Sequence, residues 1–150
     1  MAKKKGYTIA MAGKGGTGKT TLAGLLVRFL KEQDMTPILA VDADANSNLN
    51  EVLGLEVEET LGDAREMMKK DVPVGMTKDI FIEMKVEQSL VEANGFDLMV
   101  MGRPEGPGCY CAANSLLSKF IERMMDNYPY LVVDNEAGME HFSRLTTKYI

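Results

Sequence analysis

An α/β fold, with a mostly parallel sheet covered by helices on both faces, is predicted by three observations. Four short apolar runs end at Gly or Asp, two helical patterns lie between them, and strand and helix alternate along the chain. The runs are Tyr7 to Gly13, Thr36 to Asp44, Phe96 to Gly102 and Tyr130 to Gly138. Their near-continuous apolar character suits strands buried from both sides. Between the first two runs, Leu22, Leu25, Leu26, Phe29 and Leu30 fall at i, i+3, i+4, i+7 and i+8, which predicts a helix with that apolar face. Leu116, Leu117, Phe120, Ile121 and Met124 repeat the pattern between the last two. Such alternation favours parallel neighbours joined by helical crossovers. From Glu56 to Ala93 the pattern is less regular. "TLGDAREMMKK" reads as helix, "VPVGM" as loop, and "KDIFIEMKVEQSLVEA" as helix or as strand then helix.

Composition bounds the function. The 150 residues suffice for one domain with a core, and 45% apolar with 26% charged residues is ordinary for a globular chain. A net charge of −5 gives no general electrostatic case for nucleic-acid binding. Lys3, Lys4 and Lys5 read as a solvated tail. No apolar run reaches the ~18–20 residues of a membrane helix. The apolar stretch from Tyr7 to Ala12 is too short for a secretory leader. The expectation is a cytoplasmic protein, without membrane or nucleic-acid partner, whose cysteines stay reduced. The twelve methionines read as core filler rather than as an adaptable binding surface.

"GKGGTGKT", Gly13 to Thr20, satisfies G-x-x-x-x-G-K-[ST] between a strand and a helix. This spacing resembles the phosphate loop of P-loop NTPases. Glycines let backbone N–H groups turn inward around phosphate oxygens, and the helix N-terminus adds positive potential. ATP or ADP is therefore expected on Gly13, Gly15, Gly16, Thr17, Gly18, Lys19, Thr20 and Thr21. Lys19 would reach the β- and γ-phosphates and Thr20 would ligate Mg²⁺. A second lysine, Lys14, is redundant within one loop. It reads either as a solvated side chain or as a cation pointed across a subunit interface at a neighbour's nucleotide. Asp134 ends an apolar strand where a Mg²⁺-shell carboxylate belongs. Asp44 is assigned the attacking water, and Asp42 a metal-shell or switch role. Capping of a following helix is the alternative for any one of these aspartates alone, but three carboxylates at strand ends facing one phosphate loop favour the functional reading. Lys14, Lys19 and Asp44 are the candidate catalytic residues.

Cys109 and Cys111, the chain's two cysteines, follow the Gly/Pro-rich "RPEGPG". A closed tetrahedral thiolate site takes four ligands. On an extended segment, i and i+2 would turn both sulfurs toward one ion, and a two-fold dimer would supply the other pair. Soft thiolates suit Zn²⁺, Ni²⁺ or Cu⁺, with square-planar geometry favouring Ni²⁺ and tetrahedral Zn²⁺. His141 is a weaker candidate for a third ligand. Two reduced buried thiols, or a link between them, are the alternatives.

"GKGGTGKT" with Lys14, "DADANSNL" as switch I and "VVDNEAGMEH" as Walker B and switch II resemble the P-loop ATPases with a deviant Walker A motif. That resemblance implies ATP-driven homodimerisation, with Lys14 on the partner's nucleotide. "VMGRPEGPGCYCAANSLL" and "DNEAGMEHFSRLTT" are similar to one branch, the carbon monoxide dehydrogenase maturation ATPases of the CooC type. It implies a nickel (or zinc) site shared by Cys109 and Cys111 of two subunits. The client implied is carbon monoxide dehydrogenase or the related acetyl-CoA synthase system. Family members run longer. The resemblance thus implies a single P-loop ATPase domain over 1–150, the N-terminal part of the full fold and incomplete at its C-terminus, with further strands and adenine-recognising loops beyond. Two other functions stay open: an iron–sulfur cluster carrier on the same scaffold, and a nucleotide-gated partition or positioning module.

Overall fold

The four predicted strands form, and a short fifth joins them. The computed structural model describes residues 6–46, 48–103, 105–106 and 108–135, with the backbone alone at 109 and 110. Switch II past Asn135, His141 and the helical pattern around Thr147 lie outside the described residues. The elements are β1 (Tyr7–Met11), α1 (Lys19–Glu32), β2 (Ile38–Ala43), α2 (Leu49–Leu53), α3 (Leu61–Lys70), α4 (Lys78–Gln88), β3 (Val91–Glu92), β4 (Phe96–Val100), α5 (Cys109–Met124) and β5 (Tyr130–Asn135). The sheet order is β1-β5-β2-β4-β3. Among the described residues only the β3–β4 pair is antiparallel. The irregular stretch thus resolves as two helices and a two-residue strand, with "VPVGM" in a loop.

Strand alternation sorts the core into two layers. Ile38 and Ala40 of β2, Leu98 of β4 and Val132 of β5 pack on Ala23, Val27 and Leu30 of α1 and Leu49 of α2. Leu39, Val41, Met99, Leu131 and Val133 face the other way, onto Leu61, Ala64, Ile82, Val86, Leu117 and Phe120 of α3, α4 and α5. The second face gathers the predicted Leu117, Phe120 and Ile121.

Two sequence expectations change. Leu22, Leu25 and Phe29 point outward, each more than half exposed at 56%, 55% and 55%. The inward face of α1 carries the smaller Ala23, Gly24 and Val27, with Leu30. Small residues let α1 lie close to its neighbours: a Cβ at Gly24 would sit 2.3 Å from Val52 Cγ1 of α2. The first strand is also less buried than expected. Among the described residues β1 pairs with β5 alone, and Tyr7 is 68% exposed.

Beyond β4 the chain is pinned. The Met101 N–H donates to Asp42 O at 2.9 Å, and the Gly62 N–H donates to Met101 O at 3.0 Å. Gly102 has φ 74, and a Cβ there would lie 2.3 Å from Thr60 Oγ1. Thr60 is engaged in the capping box of α3 with Asp63. Gly102→Ala combines left-handed strain of about 1 kcal/mol with a displaced cap of about 1 kcal/mol. The expected loss is about 2 kcal/mol in urea unfolding, with the slope unchanged.

Candidate functional site

The carboxyl ends of β1, β5 and β2 meet in register. Met11 pairs with Asp134, and Asp134 pairs with Asp42. Asp42 and Asp134 occupy the same parity as Ala40 and Val132, so both carboxylates fall on the α1 side of the sheet. Both are fully buried. The loop from β1 to α1 opens beside them.

In that loop Gly16 and Gly18 adopt φ 77 and 87, the left-handed region that an L side chain rarely enters. A Cβ at Gly15, Gly16 or Gly18 would meet no protein atom within 4 Å. Backbone conformation and open approach, rather than packing, therefore ask for glycine here, as a phosphate cradle does. Gly18 immediately precedes α1, and no side chain caps that helix. The first N–H groups of α1 are left for an anion or water. The Lys19 ammonium donates back to Gly13 O at 2.7 Å, and the Thr17 hydroxyl donates to Lys14 O at 2.7 Å. Lys14 is exposed on the lip of the loop, and Thr21 is exposed on the first turn of α1.

The Thr20 hydroxyl donates to Asp134 Oδ2 at 2.6 Å. A hydroxyl and a buried carboxylate in contact are hard oxygen donors of the kind Mg²⁺ takes, beside the loop that would hold its phosphates. Asp42 is engaged differently. Its Oδ1 accepts the Asp44 N–H at 3.2 Å and its Oδ2 accepts the Leu49 N–H at 3.3 Å, at the start of α2. It braces the turn after β2. Asp44 is half-buried on that turn, and its Oδ1 accepts the Asn46 N–H at 2.8 Å.

The cysteines stand elsewhere on the same edge, at the start of α5. The extended segment expected for them is not found: Cys109 and Cys111 lie in the first turn of a helix. Positions i and i+2 of a helix do not share one face, so the extended-segment argument for a shared ion does not apply to this backbone. Gly108, at φ 73, precedes that turn, and Cys111 is exposed. Among the described residues no group of three or more His, Cys, Asp or Glu converges to hold a metal. Among them also, no helix is long and apolar enough to cross a membrane.

Two residues without a role in the sequence reading belong to this edge. Asn135 is buried beside Asp134 and donates through Nδ2 to Met11 O at 3.3 Å. Arg103 spans from the β4–α5 segment to the turn after β2. A polar residue directly after the strand-end aspartate signals the first. No local pattern signals the second.

Comparison with known proteins agrees with this geometry. The family model described as the CobQ/CobB/MinD/ParA nucleotide binding domain matches residues 8–148. An uncharacterized ATP-binding protein of Methanocaldococcus jannaschii is 48% identical over 147 residues, covering 95% of this chain and 58% of that protein. The carbon monoxide dehydrogenase accessory protein CooC of Rhodospirillum rubrum is 31% identical over 158 residues, covering 95% of this chain and 59% of that protein. The cell division ATPase MinD of Pyrococcus furiosus superposes with a TM-score of 0.64 at 25% identity, covering 93% of this chain and 54% of that structure. The chain thus spans well under two thirds of the length of these relatives. A glycine loop that leaves its helix N-terminus open, a Thr20–Asp134 pair behind it and this match along nearly the whole chain lead to one conclusion: the chain belongs to the CobQ/CobB/MinD/ParA family of nucleotide binding domains.

Proposed function

We propose that this chain is the nucleotide-binding part of an ATPase that couples ATP hydrolysis to delivery of a soft metal ion, nickel or zinc, in carbon monoxide dehydrogenase maturation. The observation that carries the reading is the exposed Cys111 at the start of α5, on the sheet edge that also bears the phosphate loop and Asp134. The likeness to the CooC accessory protein supports the client. The reading assigns the cytoplasm, where thiols stay reduced.

In this reading Lys19 leaves Gly13 O for the β- and γ-phosphates, and Thr20 and Asp134 hold Mg²⁺ between them. Asp44 orients the attacking water and Asp42 keeps its turn in place. Lys14 reaches the nucleotide of a second copy, so hydrolysis needs the dimer. The metal is cargo, bound where two α5 starts meet. Because Cys109 and Cys111 diverge on a helical turn, two forms are possible. Four thiolates share the ion if that turn opens, or one thiolate comes from each copy. Whatever favours the dimer through nucleotide also favours it through metal.

A second reading, a positioning ATPase, is supported by the MinD likeness and predicts no bound metal. An iron–sulfur carrier would instead be coloured after anaerobic preparation. Lys19→Ala should weaken ATP binding by about tenfold or more in calorimetric titration, the effect of losing a charged phosphate contact. Wild-type protein should carry half a metal ion per chain, in dimers alone. Cys109→Ser with Cys111→Ser should abolish metal uptake, measured by equilibrium dialysis with nickel and with zinc. Unchanged uptake in that double variant would overturn the cargo reading. One single variant that keeps its metal would select the two-thiolate form.

A further inference from the structure

Arg103 joins the two halves of this edge. Its Nε donates to Ala45 O at 2.8 Å, and one terminal nitrogen donates to Asn46 Oδ1 at 2.8 Å. Both acceptors belong to the turn after β2. The Asn46 N–H in turn donates to the carboxylate of Asp44. The guanidinium therefore grips the turn that presents Asp44. The backbone on which Arg103 stands is fixed at its near end. Met101 is bonded to Asp42 O and to the Gly62 N–H, and Gly102 packs on Thr60 with no room for a side chain. From Arg103 the chain leads on to Gly108 and the cysteine turn of α5.

Displacing the Asp44 turn must therefore either break two hydrogen bonds or carry Arg103 with it. Two donors held in a planar fork make the link directional, and a lysine ammonium cannot span both acceptors in the same way. Among the described residues no carboxylate pairs with Arg103, so its contacts there are geometric rather than charge-neutralising.

We propose that Arg103 is a positioning residue that transmits the nucleotide-dependent position of the turn carrying Asp44 to the cysteine-bearing start of α5. The inference rests on the nucleotide reading of the phosphate loop, but not on the identity or existence of the metal cargo.

The test uses the whole chain, metal-free and reduced, with Cys109→Ser so that Cys111 is the single thiol. The alkylation rate of Cys111 by iodoacetamide is measured with ADP and with a non-hydrolysable ATP analogue. Nucleotide affinity and the urea midpoint are measured in parallel. In the otherwise wild-type background the two nucleotides should give rates differing by about fivefold or more. Arg103→Lys and Arg103→Ala should each bring the rates within about twofold of one another, with nucleotide affinity and urea midpoint held. Arg103→Ala combined with Asn46→Ala should do no more than Arg103→Ala alone, since Arg103→Ala already removes the contact that Asn46→Ala would remove. The inference is overturned if either Arg103 variant keeps the wild-type ratio. It is equally overturned if nucleotide binds and the Cys111 rate never responds. A chain that binds no nucleotide sinks this inference and the nucleotide reading together. Metal uptake that survives loss of both cysteines sinks the cargo reading alone.

Discussion

Two carboxylates buried side by side set the terms for the rest of the molecule. Asp42 and Asp134 are register partners on neighbouring parallel strands, both without access to water. Neighbouring strands are about 4.8 Å apart. Burying two acidic groups at neighbouring register positions is costly without compensating partners. Such a pair persists only where donors are supplied. The Thr20 hydroxyl meets one, and the N–H groups of Asp44 and Leu49 meet the other. The start of α1, the turn after β2 and the start of α2 are all held to this pair. The parallel register that aligns the strand ends is thus also what creates the demand for donors at that edge.

The phosphate loop is already shaped before any nucleotide arrives. Its glycines hold left-handed turns, and the Lys19 ammonium rests on the loop's own carbonyl. In the proposed reading, nucleotide would exchange that internal hydrogen bond for charged contacts to phosphate. Thr20 is likewise in place against Asp134. The turn after β2 is less enclosed, with Asp44 only half-buried.

Much of this was legible in the sequence, for identifiable reasons. The four longer strands are apolar over their whole length and stop at punctuating residues. "GKGGTGKT" is specific because strand, glycines, lysine and helix must all coincide. The strand-end aspartates could be placed because each lies at the close of an apolar run. The α1 face was misread because periodicity weighs bulk. Leu22, Leu25 and Phe29 are large and outward, whereas the inward Ala23 and Gly24 are small so that neighbours can approach. The helical start at Cys109 was misread because a glycine, not Ser, Thr, Asp or Asn, precedes it, so the usual cap signal is missing. β3 is too short to show any period. Arg103 was silent because its partners lie 57 and 58 residues away, and no local spacing encodes that distance.

The acceptors chosen by Arg103 have a consequence of their own. A guanidinium stays charged throughout the accessible pH range. A peptide carbonyl and an asparagine amide carry no net charge to titrate or to be masked by counterions. The tie between the two loops is therefore indifferent to acidity, and far less sensitive to ionic strength than a surface ion pair of the same reach would be. A clasp of this kind answers to the shape of the turn it holds and hardly at all to the medium around it.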